Sequence, residues 1–276
     1  MTLCAAAISE AGVYMTCDCR VTFANGLVSD SLLKLVPIGQ NAAMCVAGDV
    51  DTIAAIIKNL NLSGLQKKRH KPVTLVRSVC RDIVRLYHDM KCAPKQVQFL
   101  IACATSGQRA ISKVLLPNSS SELNMKTGVG AVFAIGEDDD MRRNCENHIQ
   151  ELDFKAWGSN LPFIMGNICV GAKNIQSLHA GVDRDKQSVS RVFACFDVSE
   201  RGVDLIKTKV EMFRGRIADR NKPLGYALDH EIDVEDGRLV LIDHQANKRI
   251  ALRGPTEFDY KGYGVVSSNR NPYTLK

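Results

Sequence analysis

The stretch that most constrains what this chain can fold into runs from Met1 to Gly48. Behind the hydroxyl residue Thr2 comes a short apolar run, Leu3-Cys4-Ala5-Ala6-Ala7-Ile8. Glu10-Ala11-Gly12 reads as a turn, and Val13-Tyr14-Met15-Thr16-Cys17 as a second apolar run closing on Asp18-Cys19-Arg20. Asp30 to Val36 and Ala43 to Gly48 repeat the pattern. Short apolar runs punctuated by turn residues are strands, so two strand-turn-strand units sit end to end. Each holds one charged residue in an apolar setting: Asp18 in the first, Lys34 in the second.

Taken singly, these residues have plain explanations. A Thr at position 2 is ordinarily just the second residue of a chain. Asp18 near a strand end fits a turn or an edge. Lys34 inside Leu32-Leu33-Lys34-Leu35-Val36 fits an edge-strand guard against aggregation. Gly48 before Asp49 fits a turn into a helix.

Their spacing points further. Asp18 lies 16 positions after Thr2, Lys34 lies 16 after Asp18, and Gly48 lies 14 after Lys34. With Asp18-Cys19-Arg20 as an Asp-x-Arg motif, the arrangement resembles the N-terminal region of proteasome β-type subunits and of HslV, the bacterial two-component peptidase. All the intervals fit that family without a gap once Met1 is set aside. The resemblance covers roughly Thr2 to Lys207 and is clearest in the first 60 residues. It implies an N-terminal Thr nucleophile at Thr2. It also extends to Arg184-Asp185-Lys186-Gln187-Ser188, which is similar to the family's Arg-Asp-x-x-Ser-Gly motif, where Asp185 and Ser188 would support Thr2. Val189 departs from the Gly of that motif, and Glu137-Asp138-Asp139-Asp140 stands after Gly136 where the family usually has a Ser.

The chemistry of such a site follows from the residues. An alcohol is a weak nucleophile at neutral pH and needs a base beside it. A chain-terminal Thr carries one, its own α-amino group, with a reference pKa of about 8. A Lys34 cation nearby lowers that value by like-charge repulsion. Asp18 neutralises and orients Lys34, which is otherwise costly to bury. Gly48 has no Cβ, so its N–H can approach a developing oxyanion closely. All of this requires removal of Met1, and Thr is a small second residue of the kind after which initiator methionine is trimmed. No propeptide is expected ahead of Thr2.

Composition removes other classes. With 276 residues, 45% hydrophobic and 24% charged, the chain can bury a sizeable core. A net charge of +6 with scattered Lys and Arg gives no case for nucleic acid. No apolar run reaches membrane-spanning length, and no basic n-region precedes the first run. The ten cysteines lie mostly in apolar runs, without a C-x-x-C pair. Buried reduced thiols in a cytoplasmic compartment are expected, rather than disulfides or zinc. The six histidines have no ligand spacing, and neither a G-x-S-x-G elbow nor a phosphate loop occurs, so no cofactor or metal is expected.

Along the chain, Asp49 to Asn61 reads as a helix with Ile53, Ala54, Ile56, Ile57 and Leu60 on one face, capped by Asp49 or Asp51. Lys67 to Lys71 is a charged connector. Pro72 opens a second helix to about Met90. Val97 to Ala104 and Arg109 to Leu116 form a hairpin, and Gly130 to Gly136 a further strand. Helices are expected over Met141 to Leu152 and Pro162 to Ala180, with the acidic run capping the former. A hairpin is expected over Val192 to Val198 and Val203 to Ile206. The order predicts an α+β, four-layer αββα sandwich of two antiparallel sheets flanked by helices, which is the Ntn-hydrolase fold of the family resembled.

The domain division expected is a proteasome-like Ntn-hydrolase domain over 1–210 and a C-terminal extension over 211–276. In the extension, Glu231 to Ile242 and Lys248 to Leu252 read as strands, with turns at Glu235-Asp236-Gly237 and Gln245-Ala246-Asn247. Gly262 to Lys276 reads as an exposed tail. The function expected from the resemblance is a threonine-type endopeptidase subunit of a homo-oligomeric ring, acting on polypeptides, with an ATP-dependent unfoldase as possible partner. Two alternatives stay open: an Ntn amidohydrolase acting on small amides, and a non-catalytic scaffold subunit.

Overall fold

The computed structural model describes residues 2–22, 28–29, 32–90, 95–117, 124–136, 138–158, 161–180, 193–206, 209–214, 225–235, 238–244, 247–252 and 254. Strands β1 (Leu3–Ile8) and β2 (Val13–Asp18) form an antiparallel hairpin, with Cys4 opposite Cys17 and Ile8 opposite Val13. The Ser9 hydroxyl accepts from the Ala11 and Gly12 N–H groups and ties the turn. After a two-residue ladder of β3 (Val21–Thr22) and β4 (Val28–Ser29) comes the second hairpin, β5 (Leu35–Gly39) and β6 (Ala42–Gly48). It starts later than the Asp30 expected from sequence, so Lys34 lies just ahead of its strand.

Helices α1 (Val50–Asn59), α2 (Leu62–Gln66) and α3 (Pro72–His88) follow. Asp49 is the cap of α1, its side chain accepting from the Thr52 N–H at 3.0 Å. Next come β7 (Val97–Ala104), β8 (Arg109–Leu116), β9 (Asn124–Lys126) and β10 (Val132–Gly136). Helix α4 (Asp139–Gln150) begins two residues ahead of the expected Met141, because Asp138 caps it through the Met141 N–H at 2.7 Å. A short α5 (Phe154–Trp157) and a long α6 (Leu161–Ala180) precede the hairpin β11 (Phe193–Val198) and β12 (Val203–Ile206). The last sheet comprises β13 (Lys209–Arg214), β14 (Gly225–Glu235), β15 (Arg238–Asp243) and β16 (Lys248–Ala251).

Two five-stranded sheets carry the fold, in the orders β10-β1-β2-β11-β12 and β5-β6-β7-β8-β9. All pairings between the described strands of these sheets are antiparallel. The side-chain period of two sorts each strand between two cores. On β1, Cys4, Ala6 and Ile8 face the second sheet, where Cys45, Leu100 and Ala102 meet them. Leu3, Ala5 and Ala7 face outward onto Met141, Cys145, Ile149 and Met165 of α4 and α6. On the other sheet, Met44, Phe99 and Ile101 face outward onto Ile56, Val76, Val79 and Ile83 of α1 and α3. Helices thus cover both outer faces, and the architecture is a four-layer αββα sandwich. Burial on both faces explains why β1, β6 and β7 read as near-continuous apolar runs rather than alternating ones.

Strands β13 to β16 make a sheet of their own, a four-stranded antiparallel meander. Its residues Ile232, Leu239, Leu241 and Leu252 are buried in the same core that lies between the two main sheets. The expected tail, Gly262 to Lys276, lies outside the described residues.

Candidate active site

Strand register brings the two charged residues of the opening stretch to one end of the sandwich. Antiparallel pairing of β1 and β2 sets the start of β1 beside the end of β2. The Leu3 N–H therefore donates to Asp18 Oδ1 at 3.0 Å. Lys34 approaches from the strand end ahead of β5, held there by the Val46 N–H donating to its carbonyl at 2.9 Å. Its Nζ donates to both carboxylate oxygens of Asp18 at 2.8 Å. The Arg20 N–H donates to Oδ2 at 3.2 Å. The two side chains are 4% and 0% exposed.

A buried ion pair survives only when its remaining hydrogen-bonding capacity is filled. Here each carboxylate oxygen of Asp18 serves Lys34 and a backbone N–H. The edge-guard reading of Lys34 does not describe such a residue, because a guard keeps its ammonium in water.

Thr2 sits immediately ahead of β1 and is 6% exposed. Its carbonyl packs against Gly136, where an added Cβ would lie 2.6 Å from the Thr2 oxygen. Gly136 is also the partner of Leu3 across the β1–β10 ladder. Gly136 is therefore glycine because Thr2 occupies the space a side chain would need.

Gly48 ends β6 opposite Val97 of β7, two residues after the Val46 that holds Lys34. Its φ is +109°, a conformation that L side chains rarely adopt. An added Cβ would also lie 2.9 Å from Val97 Cα and against the Gln96 carbonyl. Backbone packing alone thus requires glycine here. The following Asp49 caps α1, and its carboxyl is held below the usual range chiefly by the Thr52 N–H.

A cluster of thiols lies on the core side, with Cys4 within electrostatic reach of the ion pair. Cys4, Cys17 and Cys45 are buried, with Cys4 opposite Cys17 in the ladder. Burial pushes the Cys4 thiol up and the Cys45 thiol well up. Both stay protonated at neutral pH and are poor nucleophiles. Among the described residues, no cluster of His, Cys, Asp or Glu is arranged to hold a metal ion.

Of the six residues singled out by sequence, Thr2, Asp18, Lys34 and Gly48 gather at this end. Asp185 and Ser188 lie outside the described residues. Sequence reasoning missed Gln98, which is 3% exposed and bonds to both backbone groups of Gly136. The signal was there: a lone amide in the otherwise apolar run Val97 to Ala104.

A family model described as "Proteasome subunit" matches residues 2–145, just over half of the chain. Among solved structures, the chain is similar to the Gly-1 mutant of Anbu from Hyphomicrobium sp. strain MC1. That match has a TM-score of 0.51 and 12% identity, and covers 74% of this chain and 84% of that one. A second similar structure is Anbu, described as an ancestral beta-subunit, from Yersinia bercovieri. It has a TM-score of 0.49 and 13% identity, over 70% of this chain and 80% of that one. At such identities the Hyphomicrobium match speaks for fold alone. No curated protein matches the chain.

Proposed function

We propose, from the premise that this chain belongs to the proteasome subunit family, that it is a threonine-type endopeptidase subunit of a self-compartmentalising complex, with Thr2 as N-terminal nucleophile once Met1 is removed. The observation that carries the reading is the sharing of Asp18 Oδ1 between the Leu3 N–H and Lys34 Nζ. Two hydrogen bonds connect a buried cation to the backbone one residue from Thr2. Such a cation favours the neutral form of a Thr2 terminal amine.

In the proposed reaction the Thr2 amine takes the hydroxyl proton as Oγ attacks a peptide carbonyl. The Gly48 N–H donates to the oxyanion. Collapse breaks the C–N bond, the amine returns its proton to the leaving amine, and an ester to Oγ remains. Water, with the same amine as base, hydrolyses that ester and frees the hydroxyl. Asp18 holds Lys34 in place. Asp185 and Ser188 are assigned, by resemblance, to support Thr2.

A homo-oligomeric ring is proposed as the assembly, enclosing the site away from folded proteins. Unfolded polypeptides are the proposed substrates, delivered by an ATP-dependent unfoldase. The proposed division of the chain remains a proteasome-like domain over 1–210 and an extension over 211–276. No described helix is long and apolar enough to cross a membrane.

A second reading, a non-catalytic scaffold subunit, is favoured by the 6% exposure of Thr2 and by the acidic run after Gly136. The test that separates the two is hydrolysis of fluorogenic peptides by the wild-type chain and Thr2→Ala, with intact mass measured on both. Activity that requires Thr2, on a chain lacking Met1, supports the peptidase. Retained Met1 and no Thr2-dependent turnover support the scaffold.

A further inference from the structure

An amide buried between two sheets must find its own partners, and Gln98 finds both on one residue. Its Nε2 donates to the Gly136 carbonyl at 2.9 Å, and the Gly136 N–H donates to its Oε1 at 2.8 Å. Gln98 belongs to the β5–β9 sheet and Gly136 to the β1-containing sheet, so this two-point bond ties one sheet to the other.

The places where it is anchored matter more than the bond itself. Gly136 is the ladder partner of Leu3 and packs on the Thr2 carbonyl. Val97, next to Gln98 in the chain, is the ladder partner of Gly48. A short route of backbone, side-by-side ladder contacts and the two amide hydrogen bonds therefore runs from Thr2 through Leu3, Gly136, Gln98 and Val97 to Gly48. Apolar packing between sheets is non-directional and tolerates small slides. A bidentate amide bond has fixed length and angle and does not.

We propose that Gln98 is a positioning residue that fixes the spacing between Thr2 on one sheet and Gly48 on the other, and through it the distance from nucleophile to oxyanion donor. The catalytic part of this rests on the reading of Thr2 as nucleophile. An oxyanion donor acts over a narrow range of distance, so a small slide of one sheet costs rate more than it costs substrate binding.

Two substitutions separate positioning from plain structural support. Gln98→Leu keeps the approximate bulk and leaves both Gly136 backbone groups without a partner. Gln98→Glu keeps the shape. Its ionised carboxylate cannot donate to the Gly136 carbonyl, but its protonated acid donates and accepts as the amide does. Kinetics are read per folded molecule, against wild type and Thr2→Ala. The expected result for Gln98→Leu is a fall in kcat of roughly tenfold or more with KM changed by less than about threefold. For Gln98→Glu, the ratio of its kcat to that of wild type climbs as pH falls from about 8 towards 5, because a buried carboxyl takes up its proton early. Wild-type kcat in Gln98→Leu, or a pH-independent ratio in Gln98→Glu, overturns the inference while leaving the peptidase intact. If wild type itself lacks Thr2-dependent turnover, the peptidase reading fails. Amide hydrogen exchange then tests the spacing alone. Faster exchange in Gln98→Leu at peptides containing both Leu3 and Gly48, with α3 unchanged, supports it; unchanged exchange at those peptides overturns it.

Discussion

Lys34 holds its ammonium 2.8 Å from both carboxylate oxygens of Asp18, and neither side chain meets solvent to any useful extent. The pair joins the sheet that begins with Leu3 to the segment that enters the second sheet. Removing one partner leaves the other buried and charged, which costs about 3 to 5 kcal/mol.

Lys34→Ala is therefore expected to lower the melting temperature and to leave peptide hydrolysis nearly absent. Lys34→Arg should not restore activity, because a planar guanidinium does not replace a compact ammonium between two oxygens. Thermal unfolding and peptide turnover read the two effects separately. Full turnover in Lys34→Ala would keep Thr2 as nucleophile and remove this account of its activation.

Asp197 contributes stability that falls as pH rises through the acid range. Its carboxyl on β11 is pushed up to about 6, chiefly by burial and then by Asp204, while Arg201 pulls the other way. Among the described residues, its Oδ1 has no hydrogen-bond partner. A folded-state value above the unfolded 3.8 means the native state favours the proton. The associated stability is present below about pH 4, is lost between about 4 and 6, and stays lost above. The size is on the order of 2 kcal/mol, after allowance for partial exposure. Asp197→Asn is expected to raise the melting temperature at pH 7.5 and to flatten its dependence over that range. An unchanged or lower melting temperature at pH 7.5 would contradict this.

Truncation after residue 208 removes the meander of β13 to β16. Ile232, Leu239, Leu241 and Leu252 leave the shared core with it. Each buried side chain of this type contributes about 1.5 to 3 kcal/mol, partly offset by the entropy of ordering the sheet. The truncated chain is expected to melt at least roughly 5 °C lower than the full one. Equal melting temperatures would show that the extension adds nothing to the core's stability.

The nine described cysteines are all buried, and burial pushes Cys103 and Cys195 up to about 12 and Cys80 up to about 11. Thiolate is the reactive form, so these thiols should resist alkylation in the native protein at pH 8 and react after unfolding in denaturant. Peptide mapping after iodoacetamide treatment reads this. Rapid native labelling of Cys4 or Cys45 would show that the region beside Asp18 opens.

The sequence was most legible where local chemistry decides structure. Asp49 as helix cap, Pro72 at the start of α3 and the apolar runs of β1, β2, β7 and β8 all follow from residue type and period. Spacing singled out Asp18 and Lys34, and register explains why they meet. Short elements were harder: α2, α5 and β9 have too few residues for a periodic signal. The start of β5 was read too early because an apolar run does not reveal that Lys34 turns inward to an acid. Gln98 escaped because its role depends on Gly136, which lies 38 positions away on the other sheet. Contacts between sheets leave no local pattern.

The most direct test of the central claim measures hydrolysis of an unfolded protein or fluorogenic peptide by three forms of the chain, each checked for loss of Met1 by intact mass. The account predicts turnover by wild type, none by Thr2→Ala with fold and assembly unchanged, and partial turnover by Thr2→Ser, which keeps the oxygen. Undiminished turnover by Thr2→Ala would contradict it.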